Sequence, residues 1–360
     1  MEQKREEEKG GSRRFGLRSE EVPAQFREMF ICSGYRKPYG SALDCVKSVF
    51  LPLNETVNVW THFVPFLLFL VRFASVFWNY HLTEAYVYPL LSFALGICGF
   101  LLMSSGAHLF NCMSPRVWHI CFFFDYAAIS VYSLGAGQAF YFYTRSLKSD
   151  SFLYSSPGPF LTISCLISVV STYTCCASRH RWPKMKYVIR TFCFVVAFFF
   201  NSFPHVHRCF VDPTTLLQNQ QELLAWSYFK RHSYFYLISA LANMSRMPER
   251  LIPGVFDIIG NSHHFLHVFT ALGAADQFTA IHIQMESRRS DLENFPVATF
   301  GNSLGLMVLI CLINIGIVFW FGKNLRSDKE EEHKSLWKLK HWYFSVTMEK
   351  LCFCIGLLAI

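Results

Sequence analysis

Eight long apolar runs, separated by short polar segments, occupy most of the chain between residues 57 and 321. They fall at about 57–78, 85–110, 118–143, 159–177, 187–206, 229–246, 261–282 and 298–321. Each approaches the ~20 residues a helix needs to cross the hydrocarbon core. They are too long for barrel strands, which alternate over about ten residues. The Gly, Ser, Thr and Asn within them suit close helix contact and interhelical hydrogen bonds. The pattern predicts an all-α, polytopic transmembrane helical bundle of about eight spans over residues 56–321.

Composition supports that class: 52% of residues are hydrophobic and only 16% charged, the signature of a multi-span membrane protein. The net charge of +8 accompanies no basic-aromatic motif, so no nucleic-acid partner is expected. Its Lys and Arg residues instead set orientation. One set of loops holds Arg36, Lys37, Lys47, Arg116, Arg179, Arg181, Lys184, Lys186, Arg246, Arg250, Lys323 and Arg326. The other holds Arg145, Lys148, Arg208, Lys230, Arg231, Arg288 and Arg289, so the first side leads 12 to 7. Residues 1–55 are therefore expected as a cytosolic N-terminal segment and 322–360 as a cytosolic C-terminal tail. The first 55 residues are polar, include the charged run Lys4–Lys9 and offer no cleavable signal. In the tail, Leu336–Phe344 reads either as a helix on the anionic inner leaflet or as a solvated segment. The cysteines are scattered without a CxxC pair and read as buried small hydrophobes.

Several polar residues interrupt the apolar runs near one end. His108 closes the second run, Asp125 opens the third, and His263 and His267 open the seventh. Ionisable groups at membrane depth are costly and usually functional. Residues four apart share a helix face, so His263 and His267 can bind one ion. Three imidazoles suit Zn²⁺ and leave a fourth position for water. Asp125 is placed to accept that water's proton, and Ser104, one turn before His108, to hold the water or a substrate carbonyl. Each residue taken alone also reads as helix packing; their common depth favours the metal.

His264 is an alternative ligand through its spacing from His267, and His119 is expected at the interface. His205 and His207 lie on different helix faces and are expected at the outer interface. Glu55, Asn58 and His62 form a polar stripe at the start of the first run, orienting ligands or binding neighbouring helices. Glu249 and Arg250 either pair or remain solvated. The sequons at Asn54 and Asn243 fall near cytosolic ends, where glycosylation is not expected.

The run Asn54-Glu55-Thr56-Val57-Asn58-Val59-Trp60-Thr61-His62 resembles the opening motif of the progestin and adipoQ receptor family. Ser104-x-x-x-His108, Asp125-Tyr126, Met247-Pro248-Glu249-Arg250, Phe256-Asp257-x-x-Gly260 and the histidines of the seventh run complete an ordered set. It extends from about Glu21 to the seventh run, and Ser33–Arg36, Asn54–His62 and Pro248–Gly260 look most like the epsilon type of the membrane progestin receptor branch. The resemblance implies a seven-helix core with a cytosolic N-terminus and, in this branch, an eighth span. It implies a plasma-membrane receptor for progestogens acting through a G protein. It also implies a zinc site homologous to that of adiponectin receptors and, distantly, of alkaline ceramidases. The ligands carry over to His108, His263 and His267, with Asp125 and Ser104 around the water.

Departures are local. Asn261 stands where the family has a histidine that is not an expected ligand, and His264 where it has Gln. Ala127-Ala128 follows Asp125-Tyr126 where the family tends to have Gly or Ser nearby, and about 35 C-terminal residues match no pattern. Three functions compete. One is a progestogen receptor; another is a zinc-dependent intramembrane amidase acting on a ceramide- or sphingolipid-like membrane lipid. The third is a scaffold with a structural zinc.

Overall fold

Apolar runs set the lengths of the helices, while Ser, Asn and Pro set several of their starts. The computed structural model describes residues 14–149, 151–213, 219–292 and 298–325. A short helix α1 (Ala42–Ser48) precedes α2 (Thr56–Phe77), α3 (Tyr88–Phe110), α4 (Pro115–Thr144) and α5 (Pro157–Arg181). Then follow α6 (Lys186–Val211), α7 (Gln220–Ser245), α8 (Ser262–Ser287), the single turn α9 (Arg289–Leu292) and α10 (Leu304–Lys323). Ser114 opens α4 by accepting from the Val117 backbone N–H, with Pro115 at the first helical position.

Every predicted run is a helix, and the chain is a helical transmembrane bundle. Among the described residues, six helices are both long and apolar enough to cross a membrane: α2, α3 with the turn before it, α4, α5, α6 and α10. The helices α7 and α8 are equally long, at 26 residues each, but more polar. The start of α7 lies at Gln220, well before the expected 229, because Glu222 is buried and paired rather than exposed in a loop.

Two glycines fix the α3–α4 pair, which carries His108 and Asp125. A Cβ on Gly96 would meet the Tyr132 Cα at 2.7 Å, and one on Gly135 would meet the Ser92 carbonyl oxygen at 2.6 Å. Only glycine permits backbones to come this close. Aromatic rings fill the interior beside them, with Phe73 edge-on to Phe278 at 4.9 Å and to Phe93 at 6.1 Å. The helix of the eighth apolar run, α10, packs against α4 and α5, where Asn314 Nδ2 donates to Ser168 Oγ at 3.1 Å.

A buried ionic network joins α6, α7 and α8 at the end of the bundle opposite His108. Arg208 donates to both Glu222 oxygens, at 3.0 and 2.7 Å, and to Gln284 Oε1 at 2.7 Å. Gln284 donates back to Glu222. A charge in this environment persists only when paired and hydrogen-bonded. Further inside, His205 corrects the expectation of an outer-interface residue. It is 2% exposed, with its ring 4.7 Å from that of Phe229 and 5.4 Å from that of Trp226. Because α6 continues to Val211, residue 205 lies inside the bundle. His207, on another face, contacts the Tyr154 ring at 4.7 Å.

The described part of the N-terminal segment is folded against the bundle. Strands β1 (Phe15–Leu17) and β2 (Tyr35–Arg36) pair antiparallel. Arg36, counted above as a loop charge, is buried beneath α3 and donates to the carbonyls of His108 at 2.7 Å and Leu109 at 2.6 Å. A cation there satisfies the orphan carbonyls and the negative end of the α3 dipole. Asp257 accepts from the Cys32 N–H at 3.0 Å and the Ser33 hydroxyl at 2.7 Å, tying the segment to the loop before α8. The two readings of Leu336–Phe344 lie outside the described residues.

Candidate metal centre and cavity

Two helices deliver the three expected histidines to one point. His108 ends α3, while His263 and His267 lie on the first turns of α8. One ring nitrogen from each falls within 4.8 Å of the others, and His108 Nε2 lies 3.1 Å from His263 Nε2. Two nitrogens sharing a tetrahedral zinc ion stand about 3.4 Å apart, given Zn–N bonds of ~2.0–2.1 Å.

The far side of each anchored ring explains its orientation. His108 Nδ1 donates to Glu55 Oε2 at 2.8 Å. Glu55 is itself held by Asn58 Nδ2 at 2.8 Å and Asn111 Nδ2 at 2.7 Å. His267 Nδ1 donates to the Asn58 carbonyl at 3.1 Å, with Thr61 Oγ1 also at 3.1 Å. Carboxylate and carbonyl oxygens only accept here, so Nδ1 carries the proton and Nε2 keeps its lone pair. Hydrogen bonds of this kind fix the tautomer and ring direction of metal-binding histidines. The His267 ring also stacks on His62 at 3.8 Å. The donor set fits a tetrahedral divalent cation with one position left for a small ligand.

The stripe of Glu55, Asn58 and His62 is therefore part of the site, and the one-turn spacing of Glu55 and Asn58 was its signal. His264 turns away. Its Nδ1 accepts from the Gly260 N–H at 3.0 Å and the Asn261 N–H at 3.3 Å, completing a capping box with Asn261. Asn261 Oδ1 accepts from the His263 and His264 N–H groups, both at 3.1 Å. Glu249 accepts from the Ser262 N–H at 2.7 Å and from its hydroxyl. Of the two readings of Glu249 and Arg250, the pair is not formed: Glu249 is taken by Ser262, and Arg250 is exposed.

Asp125 and Ser104 border the same space without joining the three-nitrogen set. Asp125 is buried, with Ser104 as its hydrogen-bonding neighbour, and its Oδ1 has no protein partner. The space is a cavity of about 1080 Å³ extending between α4, α6, α7 and α8, with Phe100, Phe198, Tyr236 and Leu237 among its walls. His119, expected at the interface, lies on this wall, and Gln25 and Glu28 of the N-terminal segment also line the cavity.

Residues 50–278 match the family described as Haemolysin-III related. The chain is 36% identical over 323 residues to the membrane progestin receptor gamma-B of Danio rerio, covering 83% of this chain and 90% of that one. It is 37% identical to the membrane progestin receptor delta of Mus musculus, over 86% and 90% of the two chains. Identity to the membrane progestin receptor gamma of Homo sapiens is 32%, over 88% and 96%. The likeness to the epsilon type rests on the short motif stretches alone.

Proposed function

The chain belongs to the Haemolysin-III related family, and from that footing we propose that it is a plasma-membrane receptor for a progestogen-type steroid. In this reading both termini are cytosolic and the signal passes to cytosolic partners, a G protein among them. His108, His263 and His267 hold a zinc ion near the cytosolic face. The observation that carries the reading is a large, mainly apolar cavity running beside the three histidines, slightly above the ~300–1,000 Å³ typical of small-molecule sites. The names of the relatives supply the steroid.

A zinc ion bound there supplies Lewis acidity and a more acidic water. The chain's own residues add a proton acceptor in Asp125, which lines the cavity and whose Oδ1 has no protein partner, and a hydroxyl in Ser104. That pairing favours a second reading, a zinc-dependent amidase acting on ceramide-like lipids.

One purified sample separates the two through zinc content, saturable progesterone binding and ceramide turnover. His267→Ala loses most of the zinc, because two remaining nitrogens make a poor site. Asp125→Asn keeps the zinc and lowers any hydrolysis by about 10²–10⁴-fold. A zinc-loaded wild type that binds progesterone without hydrolysing ceramide sinks the amidase; one that shows no saturable progesterone binding sinks the receptor. A C-terminal tag reachable on intact cells refutes the orientation.

A further inference from the structure

The cavity has a second polar wall that a neutral steroid leaves unused. Arg179 on α5 and Arg190 on α6 both line it, at the same end as the histidines. Arg190 is only 9% exposed; its Nε donates to Ser178 Oγ at 2.9 Å, while Nη2 has no partner. Arg179 lies across the Trp118 ring at 3.7 Å and donates to the Tyr126 hydroxyl at 3.3 and 3.0 Å, leaving Nη1 without a partner. The Arg190 guanidinium covers the Tyr126 ring at 4.5 Å. Aromatic faces and hydroxyls, rather than carboxylates, thus hold both cations in place.

Among the described residues neither guanidinium forms an ion pair. Lys186 and Arg246 line the same cavity. Of the carboxylates on its wall, Glu55 is engaged by His108 and Glu249 by Ser262, which leaves Asp125 and Glu28. Burial, with the Glu55 charge second, pushes the Glu28 carboxyl up. Buried donors without acceptors are rare in native structures and call for an explanation.

We propose that the Arg179 and Arg190 guanidinium groups form an anion subsite for the phosphate or sulfate head of an amphiphile whose apolar body fills the cavity. The inference deepens the receptor reading, and rests on it, by giving the ligand a charged head. Planar guanidinium forks match the tetrahedral oxygens of phosphate and sulfate. An aromatic stack fixes the forks in advance, so little side-chain freedom is lost on binding.

The test compares ligands that share a body and differ in the head. Pregnenolone sulfate is titrated against pregnenolone, and lysophosphatidic acid against the monoacylglycerol of the same chain, with inorganic phosphate as a third arm. The purified full-length protein is used, with metal content as the control for folding. We expect wild type to prefer the charged member of at least one pair by about tenfold or more, the scale of one charge-assisted contact. Whether the steroid or the acyl pair shows it identifies the source of the head. In Arg179→Gln and Arg190→Gln the preference falls to near unity, and Arg190→Lys restores part of it. Equal binding within both pairs, a preference that survives both Gln variants, or inorganic phosphate binding as tightly as either amphiphile overturns the inference. If the neutral members still bind, only the subsite falls; if nothing binds, the receptor reading falls with it.

Discussion

Arg190 and Arg208 stand near opposite ends of one helix, α6, and their charges are handled in opposite ways. Arg208 is closed in a two-pronged pair with Glu222 and a third bond to Gln284. Arg190, a residue of the cavity wall, has one hydroxyl, one aromatic face and an Nη2 without a partner. Both are buried, so burial alone does not tell a brace from a binding group. The distribution of partners does: a cation whose acceptors are all supplied by the fold holds helices together. One whose acceptors are left out is available to a ligand.

The largest expected effect tests the brace. Glu222→Ala leaves Arg208 buried without its carboxylate and should cost about 3–5 kcal/mol, read as a drop in the denaturation midpoint. If Arg190→Gln proves equally costly, the contrast between the two ends is broken. Next comes the anchor behind the metal. Glu55→Gln should weaken zinc affinity about 10–100-fold while the protein stays folded, as measured by competition with a chelator. Unchanged affinity would reduce Glu55 to packing. Asn261→Ala removes the cap of α8 and should cost about 1 kcal/mol in stability with the metal content kept. Loss of zinc in that variant would mean that the capping box, and not only the ring anchors, positions His263. The smallest effect falls on Arg190→Gln itself. Removing a cation without an ionic partner should change stability by less than about 1 kcal/mol in either direction.

The sequence disclosed what is local and missed what depends on helix rotation. Runs of apolar residues located the eight long helices, and the four-residue spacing of His263 and His267 placed both on one face of α8. The beginning of α7 was hidden because Glu222 reads as a loop residue until its partner Arg208, on another helix, is known. His264 had the spacing of a ligand, but the first turn of α8 needed a cap and took it. Arg36, Arg179 and Lys186 counted only as topology signals, whereas the fold places Arg36 under α3 and the other two on the cavity wall. Glu55 belonged to a recognised stripe, yet its bond to His108 crosses 53 residues, and no spacing rule reaches that far.

That separation has a consequence for how the protein is made. His108 is synthesised 155 residues before His263, and Asn58 precedes its partner His267 by 209. The three-nitrogen set therefore cannot exist while the chain is still emerging, even after the earlier helices have entered the bilayer. Only insertion of α8 completes it, and a cation captured at that moment would clasp the first helices to the seventh. Metal loading, where it occurs, would then be a late checkpoint of biogenesis, reached only by chains whose helices have already found their places.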